Sequence, residues 1–330
     1  MKRNVFKIII AVLMMVFLCC GCGAQKDDSV SGISVTDHAG RTVTIEETPE
    51  TIVCNYYIAT SMLIALDQED KLVGVENEAE KRPVYAMSAP EILDLPAMGT
   101  VKEFDLEACA TIQPDLVVLP YKLKDMTTAV EELGIPVIVL KPESPELLRE
   151  TITMLGQATG AVKEAEKLNK FMDSHVKSVE SAVEGTEKPK VYLSSNSDFL
   201  FCACPAMYQH SLIEAAGGIN VGQEIEDTYW SEVSYEQILT WDPDFIILAA
   251  DAKYTVDDVL NDPQLKECTA VKKKQVFQMP NDIECWDAPV PGSVLGISWL
   301  ASVLHPEEYD IEKHEDAVSE YYETFFGIKK

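Results

Sequence analysis

The chain has 330 residues, 47% hydrophobic and 25% charged, with a formal charge of −28. That length suits two domains of ordinary size, and the composition excludes a disordered chain. The acidic balance excludes nucleic acid as a partner, because phosphate binding needs clustered cations and the only arginines are Arg3, Arg41, Arg82 and Arg149.

Residues 1–21 read as a signal peptide: Lys2, Arg3 and Lys7 form a positive start, and Ile8–Leu18 is an apolar run of 11 residues. Such a run is too short for a bilayer core, which needs about 20. The following CCGCGAQ resembles a bacterial lipoprotein signal, in which a small residue precedes the cysteine that is lipidated. Gly21–Cys22 is the best match and Cys20 the second candidate; where that family usually has Leu three places earlier, this chain has Cys19. The resemblance implies an extracytoplasmic protein anchored to the cell membrane through Cys22, with two acyl chains giving stable attachment. Losing the leader removes three positive and no negative charges, which deepens the net charge to −31. Residues 22–32 read as a small, polar, flexible tether.

Six cysteines remain beyond the anchor: Cys54, Cys109, Cys202, Cys204, Cys268 and Cys285. A disulfide is permitted outside the cytoplasm, but its pairing is not readable. Cys202 and Cys204 are spaced C-x-C, unlike a redox or zinc pair, and the six read mainly as small core residues.

In chain order, Thr51–Cys54 is expected as a strand, Asn55–Ala59 as a loop, a helix follows from about Thr60, and Lys71–Val75 is the next strand. Then comes half of an internal repeat. Residues 106–120 read LEACATIQPDLVVLP, and residues 235–249 read YEQILTWDPDFIILA. Glu107 aligns with Glu236, Thr111 with Thr240, Pro114–Asp115 with Pro243–Asp244, and Leu119 with Leu248. Each copy predicts a short helix that stops before Pro-Asp, where proline disfavours helix at the preceding residue. Each then enters an apolar run, the mark of a parallel strand buried on both faces. A helix over 126–134, closed by Gly134, and a strand over 135–140 follow the first copy.

Ser144 and Pro145 suit an N-cap and first helical position, and apolar residues recur at helical spacing beyond them. Residues 144–187 are therefore expected as one connecting helix, with Gly156 and Gly160 as candidate interruptions and two ordinary helices as the alternative. In the second half, Lys190–Leu193 reads as a strand, Ser194–Met207 as a long loop, and Gln209–Ala216 as a helix. A helix near 255–270 and a strand at Gln275–Met279 follow the second repeat. The fold class expected is α/β: two Rossmann-like lobes with parallel central sheets, over 33–143 and 188–330, joined by one long helix, with a cleft between them.

The ordered set of lipoprotein leader, ISVTDHAGRTVTI hairpin, the two repeat copies, connecting helix and C-terminal WDAPVPGSVLGISWLASVLHPEEY resembles the substrate-binding proteins of ABC importers for iron–siderophore complexes, haem and cobalamin. The resemblance covers about residues 33–326. It implies two lobes on a rigid helix, a small opening angle on ligand release, a monomer, and delivery to a permease dimer. It also implies that Glu107 and Glu236, one per lobe, dock on permease arginines; paired carboxylate–guanidinium bonds would fix the orientation. First-turn glutamates also stabilise a helix's positive end, so both roles can hold.

Ligands of open α/β sheets bind beyond the carboxyl ends of strands. The loops there offer Tyr56, Tyr57, Lys102, Phe104 and Tyr121 from the first half, and Asn196, Tyr208, His210, Tyr229, Trp230, Trp286 and Asp287 from the second. Trp230 and Trp286 also match cleft loops of the family. Trp299 reads as core and Trp241 as helix-end packing. The set is rich in rings and poor in charge, which suits a bulky, partly apolar metal chelate: an iron–siderophore, cobalamin or haem. Haem would take Tyr56, Tyr57, Tyr208 or His210 as its axial ligand. Arg82 is the one arginine able to reach the cleft, which disfavours a strongly anionic siderophore. The alternative is an oxyanion such as molybdate. The five histidines have no metal spacing, so neither a bound free metal nor a cofactor is expected. No G-x-S-x-G, no H-E-x-x-H and, past the leader, no C-x-x-C is present, so an enzyme is not expected.

Overall fold

The computed structural model describes residues 32–226 and 228–329. The leader, Cys20, Cys22 and the tether up to residue 31 lie outside them. Among the described residues no helix is long and apolar enough to cross a membrane.

The chain opens with the hairpin β1 (Ile33–Thr36) and β2 (Thr42–Ile45), in which Val35 pairs with Val43. Asp37 closes the turn: its Oδ1 accepts the Ala39 and Arg41 amides at 3.0 Å, and its Oδ2 holds the Arg41 guanidinium at 2.6 Å. The Val139 amide also donates to Asp37, which pins the hairpin to the first lobe.

That lobe contains β3 (Ile52–Cys54), α1 (Tyr57–Ala65), β4 (Leu72–Gly74), α2 (Pro83–Ser88), β5 (Gly99–Thr100), β6 (Glu103–Phe104), α3 (Leu106–Ile112), β7 (Leu116–Pro120), α4 (Thr127–Glu131) and β8 (Val137–Leu140). Its sheet runs β4-β3-β7-β8, all parallel, while β5 and β6 form a separate antiparallel pair. Every residue of β3, β7 and β8 is buried, as expected of a parallel sheet covered on both faces.

Residues 144–187 do not form one continuous helix. They fold into α5 (Pro145–Thr159) and α6 (Val162–Val183), which pack on each other. The break falls at Gly160, in the left-handed region at φ +82°. Gly156 allows the two helices to approach, since a Cβ there would stand 2.5 Å from that of Ala165. The long connecting helix is thus α6 alone, about 33 Å at 1.5 Å per residue.

The second lobe contains β9 (Lys190–Ser194), β10 (Phe201–Ala203), α7 (Tyr208–Ala215), β11 (Ile219–Asn220), β12 (Trp230–Glu232), α8 (Tyr235–Trp241), β13 (Phe245–Leu248), α9 (Val256–Leu260), α10 (Thr269–Lys273), β14 (Val276–Gln278), α11 (Ser293–Leu304) and α12 (Ile311–Phe326). β13 runs parallel to β9 and β14, and β11 runs parallel to β9. Two expectations are corrected here. The segment expected as a loop over 194–207 carries β10, and β10 is antiparallel to both β9 and β12, so this sheet is mixed. Six residues separate β9 from β10, too few for the crossover that a parallel return needs. The helix expected near 255–270 is two short ones, α9 and α10.

The repeat is reproduced in detail. α3 and α8 are N-capped by Asp105 and Ser234, whose side chains accept the Ala108 and Gln237 amides. Both stop at a left-handed residue, Gln113 at φ 51° and Asp242 at φ 45°. The aspartate of each Pro-Asp then takes the backbone N–H at the start of the neighbouring strand: Asp115 that of Thr51 at 2.9 Å, and Asp244 that of Lys190 at 2.9 Å. The sequence match therefore encodes one supersecondary unit, used once in each sheet.

The lobes share a continuous apolar core, which joins Ile52 and Val118 of the first to Leu193 and Ile247 of the second. α11 is buried along most of its length, with Trp299 packed against the core, and it lies against α6 and α12. α12 also packs on α1 of the first lobe, so the C-terminal helix is a second tie between the lobes beside α6. Of the six described cysteines none is in a disulfide; five are buried and Cys285 is half-buried.

Candidate functional site

A cavity of about 710 Å³ lies between the lobes. The first lobe contributes Tyr56, Tyr57, Tyr121, Lys122, Lys141 and Glu143, which follow the carboxyl ends of β3, β7 and β8, together with Val101 between β5 and β6. The second contributes Met207, Tyr208, Gln209, Tyr229, Trp230 and Pro289. A hollow of similar size, about 740 Å³, is walled by Gln113–Asp115 and Gly134–Pro136. It sits at the amino ends of β7 and β8, the wrong end for a ligand site in this class of sheet.

The cavity is a box of rings with few charges. Tyr56 and Tyr57 meet edge to face at 5.9 Å. The Tyr208 hydroxyl is engaged by Ser293 at 2.7 Å. Burial pushes the Tyr57 and Tyr208 hydroxyls up to about 12, and that of Tyr56 higher still, so all three are neutral phenols. The charged lining comes from the first lobe alone. Lys141 pairs with Glu143 at 3.2 Å, and the Tyr229 hydroxyl donates to Glu143 at 2.9 Å across the mouth. These groups are partly exposed, so the pair contributes at most about 1 kcal/mol. An incoming ligand can displace it cheaply.

Behind the cavity, the Arg82 guanidinium lies 3.8 Å over the Tyr57 ring and 3.3 Å from Glu76. Glu76 is buried and also accepts Thr60 and Tyr85 hydroxyls at 2.8 and 2.9 Å. Arg82 therefore fixes the Tyr57 ring from its far side and is not among the lining residues.

Tyr56, Tyr57, Tyr208 and Trp230 are brought together as the sequence suggests. Six other expected residues are placed elsewhere. Lys102 is exposed, and Phe104 packs on the first lobe's own outer core, so Val101 takes the cavity position. Asn196 is exposed and its amide donates to Asp251 at 3.0 Å. His210 lies two residues along α7 from the inward Tyr208, about 200° around the helix, and meets Asn220 at 3.2 Å and Glu214 at 3.4 Å. Trp286 is only 6% exposed; its indole N–H donates to the Tyr322 hydroxyl at 2.9 Å, and its ring meets His314 edge to face. It is core rather than cleft wall. Asp287 is buried, accepts the Ala250 amide at 3.1 Å, and is pushed up to about 6 by burial. Lys141, Glu143, Met207, Gln209 and Pro289 were not anticipated. The strand-end rule, applied to β8 as to the other strands, points to the first two.

Glu107 and Glu236 are both exposed in the first turns of α3 and α8, helices that lead into strands of separate sheets. Each lies six residues after a cavity-lining residue, Val101 in one lobe and Trp230 in the other. The duplicated carboxylates thus stand one on each lobe, outside the cavity lining.

The sequence matches the profile of the periplasmic binding proteins over residues 52–283, which span both repeat copies and the connecting helix. The chain belongs to that family. Periplasmic binding proteins of this kind serve ABC importers as solute-binding proteins and are not enzymes. The chain is 23% identical to the molybdate-binding protein MolA of Haemophilus influenzae, over 95% of this chain and 96% of MolA. It is 25% identical to a cobalamin-binding protein of Halobacterium salinarum, over 76% of this chain and 71% of that one. Among solved structures, a periplasmic solute-binding protein of Veillonella parvula superposes with a TM-score of 0.77 at 26% identity, covering 90% of this chain and 93% of the other. Molybdate-bound MolA superposes with a TM-score of 0.79, covering 90% and 98%. The shared architecture is that of the two lobes described above.

Proposed function

We propose that this periplasmic binding protein captures a bulky metal chelate, a corrinoid or an iron–siderophore before haem, in the ring-lined cavity and hands it to an ABC permease. The observation that carries the reading is the interlobe cavity of about 710 Å³ walled by Tyr56, Tyr57, Tyr121, Tyr208 and Trp230. That volume falls within the usual range for small-molecule sites, and rings supply contact area to a large, partly apolar body. Haem ranks lower because it needs an axial ligand. His210 faces Asn220 and Glu214, the Tyr208 hydroxyl is held by Ser293, and burial opposes a phenolate at Tyr56. A chelate whose coordination shell is already complete asks none of this.

The similarity to MolA favours a second reading, an oxyanion. A small tetrahedral dianion is held by converging N–H and O–H donors, whereas Lys141 in this cavity already pairs with Glu143. To test the first reading, the mature protein is titrated with cyanocobalamin, a ferric hydroxamate siderophore, haemin and molybdate while tryptophan emission is followed. One of the chelates is expected to quench Trp230 with a Kd of about 1 μM or tighter. Binding of molybdate alone would transfer the assignment to the oxyanion reading.

Membrane attachment through Cys22 belongs to the same proposal, since the lipoprotein-type leader in the sequence supports it. Cys22→Ala is expected to shift the protein from the membrane fraction to the soluble one. An unchanged membrane fraction would remove the anchor from the account.

A further inference from the structure

The segment between β14 and α11 carries a buried carboxyl, Glu284, that crosses to the other lobe. The Ser61 hydroxyl on α1 meets its Oε1 at 2.5 Å, and the Tyr322 hydroxyl on α12 lies 3.3 Å from its Oε2. One residue earlier, the Val84 amide on α2 donates to the Ile283 carbonyl at 3.2 Å, a second bond from this segment to the first lobe. The carboxyl sits in a fitted socket: a Cβ on Gly292 would stand 2.7 Å from Oε2, beside the Tyr321 ring. Both sides of the contact lead directly to the cavity. α1 begins with Tyr57 and Ile58 on one wall, and the segment of Glu284 continues to Pro289 on the other.

We propose that Glu284 is a positioning residue, a buried clasp that fastens the second lobe to α1 and so sets the separation of the two cleft walls. Two hydroxyls donate to the carboxyl, while its burial favours the protonated form. Burial pushes Glu284 up to about 7, with Ser61, Tyr322 and the distant Arg82 pulling the other way. The titratable groups facing it are Tyr321 and Tyr322 from α12, Cys285 from its own segment, and Arg82 from the first lobe. Arg82 is committed to Glu76, and none of the others is a cation. An ionised Glu284 therefore has hydroxyls but no partner charge, which is costly in a dry site. Water reaches it only if the segment lifts from α1.

Because the folded value is raised, the stability from this group is complete below the ordinary glutamate range. It declines as pH rises and is lost above about 7. Asp287, pushed up to about 6, acts in the same direction nearby. His175, lowered to about 4 by burial in α6, acts in the opposite one. The variant Glu284→Gln keeps an acceptor for Ser61, cannot ionise, and separates Glu284 from both.

Amide hydrogen exchange on the ligand-free mature protein, corrected for intrinsic rates, reads the clasp. Between pH 5.5 and pH 8.5 the wild type is expected to lose about tenfold or more protection in residues 279–292 and 57–65, with the β1–β2 hairpin unaffected. Glu284→Gln is expected to hold its protection at pH 8.5. Ser61→Ala should weaken both segments already at pH 5.5, which keeps the test open if the glutamine variant fails to fold. A wild type with no pH response, a glutamine variant that responds like wild type, or an unaltered Ser61→Ala would each overturn the clasp. None of these outcomes depends on which ligand the cleft takes.

Discussion

Replacing Glu107 and Glu236 together by alanine is expected to abolish uptake of the transported ligand in intact cells and to leave its affinity for the purified protein unchanged. Both carboxylates are exposed, in helices of seven residues, and neither lines the cavity. As first-turn acids they contribute about 0.3–1 kcal/mol each to their helices, too little for their loss to unfold either lobe. What the pair offers is placement. The duplicated unit fixes each glutamate in the first turn of its helix, one per lobe, and two separated anionic points define an orientation where one does not. Each single variant should retain partial uptake, because the remaining contact still guides encounter. Uptake in the double variant equal to wild type, at equal expression, would show that the permease does not read these two residues. Loss of ligand affinity in the double variant would instead place them in the binding site.

Much of the fold was legible because the repeat carries its own punctuation. Proline and aspartate after a short amphipathic helix determine where α3 and α8 stop, and the Asp115 and Asp244 side chains then tie each unit to the strand beside it. The four-residue apolar runs left no alternative to buried parallel strands in the first lobe. β10 was hidden for the opposite reason. Its Phe-Cys-Ala is too short to show alternation, and only the tertiary pairing with β9 and β12 makes it a strand. The hairpin of α5 and α6 was signalled by Gly156 and Gly160, but apolar spacing alone does not distinguish a long helix from two that fold back. For the site, the rule that ligands meet the carboxyl ends of strands found Tyr56, Tyr57, Tyr208 and Trp230. It cannot tell which side chain of a loop turns inward. Val101 displaced Lys102 and Phe104 because adjacent residues in a tight hairpin face opposite ways. Trp286 went into the core because its indole N–H finds the Tyr322 hydroxyl there. Glu284 gave no signal at all, since a lone glutamate in a loop reads as solvated until the partners that bury it are known.

The ring-lined cavity is tested most directly by the combined variant Tyr56→Ala with Trp230→Ala, titrated with the chelate that quenches the wild type, using isothermal calorimetry. The two rings come from different lobes, and each is half-buried at the edge of the shared core, so the unfolding temperature of the variant is read beside its affinity. Truncating a ring that packs on a ligand commonly costs about 1–2 kcal/mol or more. Costs at separated positions add, so the pair should weaken binding roughly 30- to 1,000-fold. Trp286→Phe, a change in the core, should leave affinity within a few-fold of wild type. Near-normal binding by the Tyr56/Trp230 double variant, with its unfolding temperature unchanged, would mean that the ligand sits somewhere other than between the lobes.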